Sequence, residues 1–444
     1  MTQWLLAVIA APVVISLLVL CVREPMRVAL PVFAALVPYG GGLVVGPTRF
    51  GSLSSLMGIV LAVGLVLQLV NGHRFAPRLY PTLALWLLLL GWAGATVAWT
   101  IAPVRTINGF IVLSSLVLVY VLISVSKVDR TALRNTEFGL LFGGVSVTCY
   151  GLFQLLVLGG FPSDDPGSIG PDEDGRFGND LLGPNNEAVA LLLPLLIALT
   201  RGVTHAERSR RFGYLTISAL LFLGILMTGS RGGLLASFVA VIVLTMAVSH
   251  GRGRLLAICV VGIVLGTFVF LTTPGGLAAR NVETTATSGR TSIWQVGLAA
   301  CPQYCWAGSG WGTFPEVYAE TQATVPGAKV LVGRGGTYEP HNLWVLAVVE
   351  LGLPGLVMLA AALVLTMLEG VRLPARLRGP PLGALLGMIF AASFLSNLEF
   401  KFFWMVLIMV ALSRNLNDAQ ARPAVRTDET TTVADPRWRR VSVE

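Results

Sequence analysis

The chain has 444 residues, of which 55% are hydrophobic and only 12% are charged, and its formal net charge is +8. Apolar runs of about 17 to 25 residues recur from one end to the other, which is typical of a polytopic helical membrane protein. This pattern leaves no room for a soluble domain of ordinary size. The positive charge lies mostly in short loops and in a basic tail, so it does not indicate nucleic-acid binding.

The apolar runs predict an all-α polytopic integral membrane protein with about 12 (12 or 13) transmembrane helices and one long external loop that contains short helices. The predicted spans are 4–22, 28–46, 55–71, 82–100, 108–126, 138–160, 186–200, 212–228, 233–249, 255–273, 341–368, 381–395 and 400–413. The first span is kept as a membrane helix, because the residues before it carry no positive charge and no cleavage site is evident. We expect residues 1–160 to form the N-terminal helices and residues 414–444 a disordered cytoplasmic tail.

Basic residues in alternate loops predict the orientation. Most of the 31 lysines and arginines fall in one set of loops and in the tail, and basic loops of this kind stay in the cytoplasm. The opposite face then receives an acidic loop around 161–184, the turn at residues 229–233 and a long loop at about 274–340. Polar residues with possible chemistry therefore gather on the external face.

Arg231 lies in the sequence Gly229-Ser230-Arg231-Gly232-Gly233, between two helices that otherwise lack charge. An arginine near the membrane core usually faces a polar cavity, and glycines on both sides would let a bulky anion approach. The alternative is an arginine that extends toward the interface from a glycine turn.

Arg290 precedes a predicted short helix at 291–300 in the long external loop. A guanidinium beside a helix N-terminus is electrostatically disfavoured unless an anion accompanies it. Arg231 and Arg290 together could hold a pyrophosphate through forked hydrogen bonds without a metal. The alternative for Arg290 is an ordinary solvated loop charge.

His341 is the one histidine of four that falls on the external side, where the loop ends and an apolar helix begins. The positive end of the helix dipole disfavours imidazolium, so a neutral ring could accept a proton. Asn342 or Glu339 could orient the ring, and Trp344 could stack on a sugar. The alternatives are a histidine that bonds the preceding loop and a tryptophan that anchors the membrane boundary.

Three further motifs carry less weight. Asp172-Glu173-Asp174 has an Asp-x-Asp form but no preceding strand, which favours a solvated acidic loop. The stretch Gly308 to Gly312 lacks the βαβ context of a phosphate-binding loop. Cys301 and Cys305 could form a disulfide if the helix breaks there. No Cys/His cluster has metal-ligand spacing, so no metal site is predicted.

These motifs in this order resemble the O-antigen ligase and O-antigen polymerase superfamily of bacterial membrane proteins. The resemblance rests on residues 229–233, on Ser288-Gly289-Arg290, on 308–314, on 340–344 and on 350–355. It extends roughly over 180–400, so residues 161–413 are identified as the ligase-like membrane region. Arg176 and Asn186 lie in upstream stretches with a looser resemblance.

The resemblance implies a glycosyltransferase without metal or other cofactor, acting at the periplasmic face of the bacterial inner membrane. It implies a glycan donor linked to undecaprenyl pyrophosphate, a lipid bilayer environment and no nucleic acid partner. Arg231 and Arg290 fall on the family's pyrophosphate-binding arginines, and His341 on its essential histidine. Arg176, Asn186, Asn342 and Trp344 are candidates for binding substrate.

The sequence motifs are compatible with three kinds of glycan acceptor. A ligase joins the glycan to lipid A–core, a polymerase joins it to a second lipid-linked glycan, and related enzymes use protein hydroxyls. Lipid A–core is favoured from the family, although the acidic external loop would repel a phosphorylated core. A polysaccharide transporter or lipid flippase is the alternative class. Transporters place binding groups near the bilayer midplane, whereas these candidates gather at one boundary.

Overall fold

The structure is a computed structural model. It describes residues 2–40, 42–44, 51–72, 80–161, 176–178, 180–249, 251–272, 290–328 and 339–421. The α-helices are α1 Thr2–Arg23, α2 Leu30–Leu36, α3 Leu53–Val70, α4 Pro81–Ala95, α5 Pro103–Ser124, α6 Arg130–Val157, α7 Pro184–Ala190, α8 Leu192–Thr204, α9 Arg208–Met227, α10 Arg231–Ala247, α11 Arg252–Thr272, α12 Arg290–Ala299, α13 Cys301–Tyr304, α14 Phe314–Thr321, α15 Leu343–Glu350, α16 Gly352–Arg372, α17 Ala375–Ala391 and α18 Lys401–Ala421. Short π-helical or 3-10 turns occupy Pro25–Ala29, Val37–Tyr39, Thr96–Ala98 and Gln322–Thr324.

The regular secondary structure of the described residues is helical, apart from one isolated bridge between Val44 and Ser52. Seven helices within them are long and apolar enough to cross a membrane. Every apolar run singled out in the sequence contains an α-helix. The described part of the chain therefore has the helical architecture expected of a polytopic membrane protein, and the total of about 12 spans stays a prediction.

The predicted continuous span 341–368 is wrong, because the helix breaks at Leu351. α15 ends at Glu350, and Gly352 adopts a positive φ of 70° before α16 begins. A Cβ at Gly352 would lie 2.7 Å from the backbone nitrogen of Gly308. The break thus places the backbone of residues 307 and 308 directly against Gly352, at the start of α16. Only glycine permits this contact, because a side chain at this position would clash.

The predicted end of the last helix is also corrected. α18 continues through Ala421, past residue 413, and buries Arg414 and Asn415. The Asn415 amide donates to the backbone oxygens of Ser124 and Ser126, which holds the end of α18 against the turn after α5. Residues 414–421 therefore belong to the helix, and the rest of the predicted tail lies outside the described residues.

The core of the bundle is formed by α8, α10, α17 and α18, whose side chains are largely buried. Glycines at every fourth residue of α17 lie against α10. A Cβ at Gly383 would be 2.8 Å from the oxygen of Ala240, and one at Gly387 would be 2.8 Å from the oxygen of Ala236. Small residues at this spacing let two membrane helices approach closely, so α10 and α17 are fixed relative to each other.

One end of the bundle gathers the elements that carry the candidate residues. A Cβ at Gly232, in the first turn of α10, would lie 3.7 Å from the Phe394 side chain, just after α17. The backbone N–H of Leu343, which begins α15, donates to the oxygen of Ala392 at 2.8 Å. The starts of α10 and α15 thus both contact the end of α17.

Candidate functional site

Arg231 is the first residue of α10, and a small polar network fixes its position. Gly229 turns the chain with a φ of 61°, and Ser230 caps the helix by accepting a hydrogen bond from the Gly233 N–H at 3.1 Å. The Ser230 hydroxyl donates to the Asn185 side-chain oxygen at 2.8 Å. The Arg231 guanidinium is consequently presented, exposed, at the N-terminus of a helix anchored to α7.

Arg290 is likewise the first residue of its helix, α12, and it is partly buried. Burial and the nearby positive charge of Arg231 lower the pKa of the Arg290 guanidinium. The two arginines are therefore close enough to repel each other electrostatically, and each stands at a helix N-terminus. Two guanidiniums and two positive helix ends form an arrangement that favours a bound anion.

His341 is held in a strained backbone conformation. Its φ of 44° makes it the only non-glycine residue with a positive φ in the described part of the chain. Such conformations cost about 1–2 kcal/mol for an L-residue and persist where surrounding contacts enforce them. The structure places His341 one residue before the cap of α15, and not in the first helical turn as the sequence suggested.

Contacts on both sides of His341 enforce this conformation. The Trp294 indole N–H donates to the oxygen of Pro340 at 2.7 Å. The Asn342 side-chain oxygen caps α15 by accepting from the N–H groups of Trp344 and Val345, and its amide donates to the oxygen of Ser393. His341 is thus fixed between α12 and the end of α17.

The charge state of His341 follows from its surroundings. Although the residue keeps accessible surface, desolvation of the ring and the charge of Arg290 lower its pKa from 6.5 to about 4. The imidazole is therefore neutral at pH 7 and able to accept a proton. Arg290 is therefore near enough to Arg231 and to the His341 ring for their charges to interact.

The remaining candidates lie around this site with different roles. Arg176 donates from Nε to the oxygen of Thr228 at 2.9 Å, which ties its loop to the turn before Arg231. Asn186 donates to the oxygen of Leu182, so its neighbour Asn185 is the residue that contacts Ser230. Trp344 is half-buried and packs on the hydrophobic core. Asn342 is occupied by backbone contacts, which makes it a positioning residue for His341.

The glycine-rich stretch from Gly308 to Gly312 packs against Glu350, the last residue of α15. Glu350 is 1% exposed, and its carboxylate accepts the N–H groups of Gly312 and Phe314 at 2.8 and 2.9 Å. A Cβ at Gly308 would lie 2.2 Å from the Glu350 backbone oxygen. These N–H groups bind an internal carboxylate, so this stretch is a packed structural loop.

An acidic cavity lies beside this loop. It has a volume of about 310 Å³, and Glu339, Glu350 and Glu399 contribute carboxyl groups to its wall. Arg105 also lines it and pairs with Glu316 at 2.7 Å. Glu339 is two residues before His341, so the cavity adjoins the candidate site.

Cys301 and Cys305 are joined by a disulfide. α12 ends at Ala299, and the disulfide between Cys301 and Cys305 brackets the short helix α13. The backbone oxygen of Cys305 accepts the N–H of Leu353 at 2.7 Å. The disulfide-bonded turn is therefore attached to the break between α15 and α16. The Asp172–Asp174 motif lies outside the described residues.

Residues 216–360 match a family model described as O-Antigen ligase. This stretch contains Arg231, Arg290 and His341, and it confirms the resemblance inferred from the sequence motifs. None of the curated proteins matches the chain. Residues 216–360 are thus similar to the O-antigen ligase domain, and this similarity implies a membrane enzyme of the glycosyltransferase type that uses lipid-linked glycans.

Proposed function

We propose that the protein transfers a glycan from undecaprenyl pyrophosphate to an acceptor hydroxyl, with lipid A–core as the favoured acceptor. The observation that supports this proposal most directly is the hydrogen bond from Trp294 to the backbone oxygen of Pro340, which joins the helix that begins at Arg290 to the residue before His341. One group of residues thus combines a double-arginine anion site with a neutral imidazole. The same residues lie within the stretch that matches the ligase family.

The reaction uses His341 as general base. Its neutral ring nitrogen takes the proton from the acceptor hydroxyl, and the oxygen attacks the anomeric carbon from the face opposite the pyrophosphate. The bond between the anomeric carbon and the pyrophosphate oxygen breaks, and its electron pair leaves with the lipid pyrophosphate. Arg231 and Arg290 stabilise the charge on that leaving group. The product has an inverted anomeric configuration, and no metal ion takes part.

Donor binding would also prepare the base. In the free site, the Arg290 charge contributes to the low pKa of His341. A bound pyrophosphate places negative charge beside Arg290, which offsets that contribution and raises the His341 pKa toward neutrality. A base with a pKa nearer the working pH accepts a proton more effectively. The imidazole therefore becomes a competent base when the donor is in place.

The orientation of the basic loops supports a location in the bacterial inner membrane, with the site on the periplasmic face. Arg231 and Arg290 begin their helices and His341 precedes one. Binding groups of transporters lie near the midplane on broken helices. The three candidates all gather at one end of the bundle, and this position favours an enzyme over a transporter or flippase.

The acidic cavity supports a second candidate, a polymerase that uses another lipid-linked glycan as acceptor. Glu339, Glu350 and Glu399 line it. Burial raises the pKa of the Glu339 carboxyl, and both Glu350 oxygens already accept backbone N–H groups, so an acceptor would meet polar carboxyl oxygens rather than a cluster of negative charges. These oxygens could accept hydrogen bonds from hydroxyls of an uncharged sugar. The choice of acceptor therefore separates ligase from polymerase.

The test uses purified protein in detergent with a synthetic undecaprenyl-pyrophosphate glycan and EDTA. Lipid A–core and additional donor are offered separately to the wild type, to His341→Ala and to His205→Ala, a control at the opposite end of the bundle. Transfer to lipid A–core that His341→Ala abolishes and His205→Ala retains would support the ligase. Elongation of donor on donor would establish the polymerase. An absence of transfer to either acceptor would contradict both and favour a transporter.

A further inference from the structure

A second charged cavity lies at the opposite end of the bundle, where the basic loops gather. It has a volume of about 480 Å³ and is lined by Arg130, Arg134, Arg201, Arg376 and one acidic residue, Glu137. The four arginines and one glutamate give the cavity wall a net charge of +3. Cavities of roughly 300–1,000 Å³ accommodate small ligands, so this cavity has both the size and the charge for an anionic group.

Arg130 and Arg134 provide the strongest indication of a ligand. They lie one turn apart on α6, where like charges at this spacing destabilise a helix. Within the described residues neither guanidinium forms an ion pair with a carboxylate. Glu137, the carboxylate within reach on α6, instead pairs with Arg201 of α8. The positive charge of these two arginines is therefore left for an external anion.

The cavity stands at the ends of membrane helices. Arg130 is the first residue of one candidate span and Thr204 is the last residue of another, and both contribute to its wall. Ile197, Pro381, Met409 and Leu416 supply an apolar surface beside the arginines. A phosphate at the level of the lipid headgroups would meet the guanidiniums, while hydrocarbon would contact the apolar wall.

We infer that this cavity binds a phosphate group, held by Arg130 and Arg134, and that its apolar wall suits the headgroup region of an anionic phospholipid. Arginine binds phosphate through paired charge-assisted hydrogen bonds. Because the site is at the other end of the bundle from Arg231, Arg290 and His341, it is separate from the proposed reaction.

The test measures thermal unfolding of the full-length protein in neutral detergent during titration with phosphatidic acid. Phosphatidylcholine and inorganic phosphate are titrated in parallel at matched ionic strength. The variant Arg130→Gln/Arg134→Gln removes two charges from the cavity. The control Arg208→Gln/Arg211→Gln removes two charges from the start of α9, at the same end of the bundle but outside the cavity wall.

We expect phosphatidic acid to raise the unfolding midpoint of the wild type and the control, and phosphatidylcholine to leave it unchanged. The Arg130→Gln/Arg134→Gln variant should need about tenfold more phosphatidic acid for the same shift. An equal response to inorganic phosphate would support the site with free phosphate as the ligand. A wild type insensitive to both, or an unchanged affinity in the variant, would overturn the inference. If the double variant fails to fold, the single variants Arg130→Gln and Arg134→Gln take its place under the same criteria.

Discussion

Trp294 donates its indole N–H to the backbone oxygen of Pro340 at 2.7 Å, which joins the helix that begins at Arg290 to the residue before His341. This bond is the direct connection between the arginine and histidine parts of the site. Removing it with Trp294→Phe keeps the aromatic ring but releases Pro340. We expect kcat to fall about tenfold, the cost of one lost hydrogen bond that positions a catalytic group.

The matched control for Trp294 is Trp306→Phe, because Trp306 is 74% exposed. Transfer kinetics with the donor at saturation would measure the effect. If Trp294→Phe and Trp306→Phe both retain the wild-type kcat, the bond to Pro340 does not position His341.

The positive φ of His341 predicts a particular order of stability among its variants. His341→Gly and His341→Ala both remove the imidazole, but only glycine adopts a φ of 44° without strain. His341→Gly should therefore be more stable than His341→Ala by about 1 kcal/mol, and both should be inactive. Thermal or denaturant unfolding in detergent measures the difference. An alanine variant as stable as the glycine variant would show that the backbone is not strained.

The pH dependence of the reaction should differ between free and donor-bound enzyme. In the free enzyme the His341 pKa is about 4, so kcat/KM should lose activity only as the pH falls toward that value. The acid limb of kcat reports the donor complex. It should lie at higher pH, because the pyrophosphate offsets the charge of Arg290.

Replacing Arg290 tests whether its charge lowers the pKa of His341. Arg290→Gln removes a charge that lowers the His341 pKa, so the acid limb of kcat/KM should move to higher pH. Arg208→Gln, a charge removed at the opposite end of the bundle, should leave it in place. If the acid limbs of kcat and kcat/KM fall at the same pH in the wild type, donor binding does not raise the pKa of His341.

Glu350 should matter for the stability of the loop at residues 308–314. Glu350→Ala leaves the buried N–H groups of Gly312 and Phe314 without their acceptor, at a cost of about 1–3 kcal/mol for each group. Glu350→Gln keeps one acceptor oxygen and should be less destabilised. Thermal unfolding compares the two with Glu207→Ala, an exposed glutamate in a surface ion pair. Equal midpoints for Glu350→Ala and Glu207→Ala would rule out this role.

Hydropathy alone predicted the helices well, because membrane spans need long apolar runs regardless of tertiary contacts. The break at Gly352 was missed, since the apolar run continues through it and only packing against residues 307–308 reveals it. Arg231, Arg290 and His341 were singled out as candidates from their motifs and from their positions beside apolar helices, and their roles stay predictions. The sequence also suggested that Arg231 and Arg290 act together, but how Arg290 approaches His341 depends on how α10, α12 and α15 meet in space.

Other contacts around the candidate site could not be predicted from the identities of the residues alone. Asn185 and Asn186 are identical neighbours in sequence, and only the fold shows that Asn185 contacts Ser230. The positive φ of His341 arises from contacts made by Trp294 and Asn342, which come from opposite sides. Glu350 entered the sequence analysis only as part of the motif at 350–355, and the hydrogen bonds that it accepts from Gly312 and Phe314 are evident only in the fold.

The proposal that Arg231, Arg290 and His341 form one catalytic site is tested most directly by measuring lipid binding and turnover in the same variants. Undecaprenyl pyrophosphate binding and glycan transfer would be compared in the wild type, His341→Ala, Arg231→Lys and Arg290→Lys. We expect His341→Ala to bind the lipid as the wild type does while losing at least about 100-fold in turnover. The two lysine variants should bind about tenfold more weakly, because lysine keeps the charge but lacks the guanidinium fork. Transfer that persists in His341→Ala, or arginine variants that bind normally, would contradict the assignment of these three residues to one catalytic site.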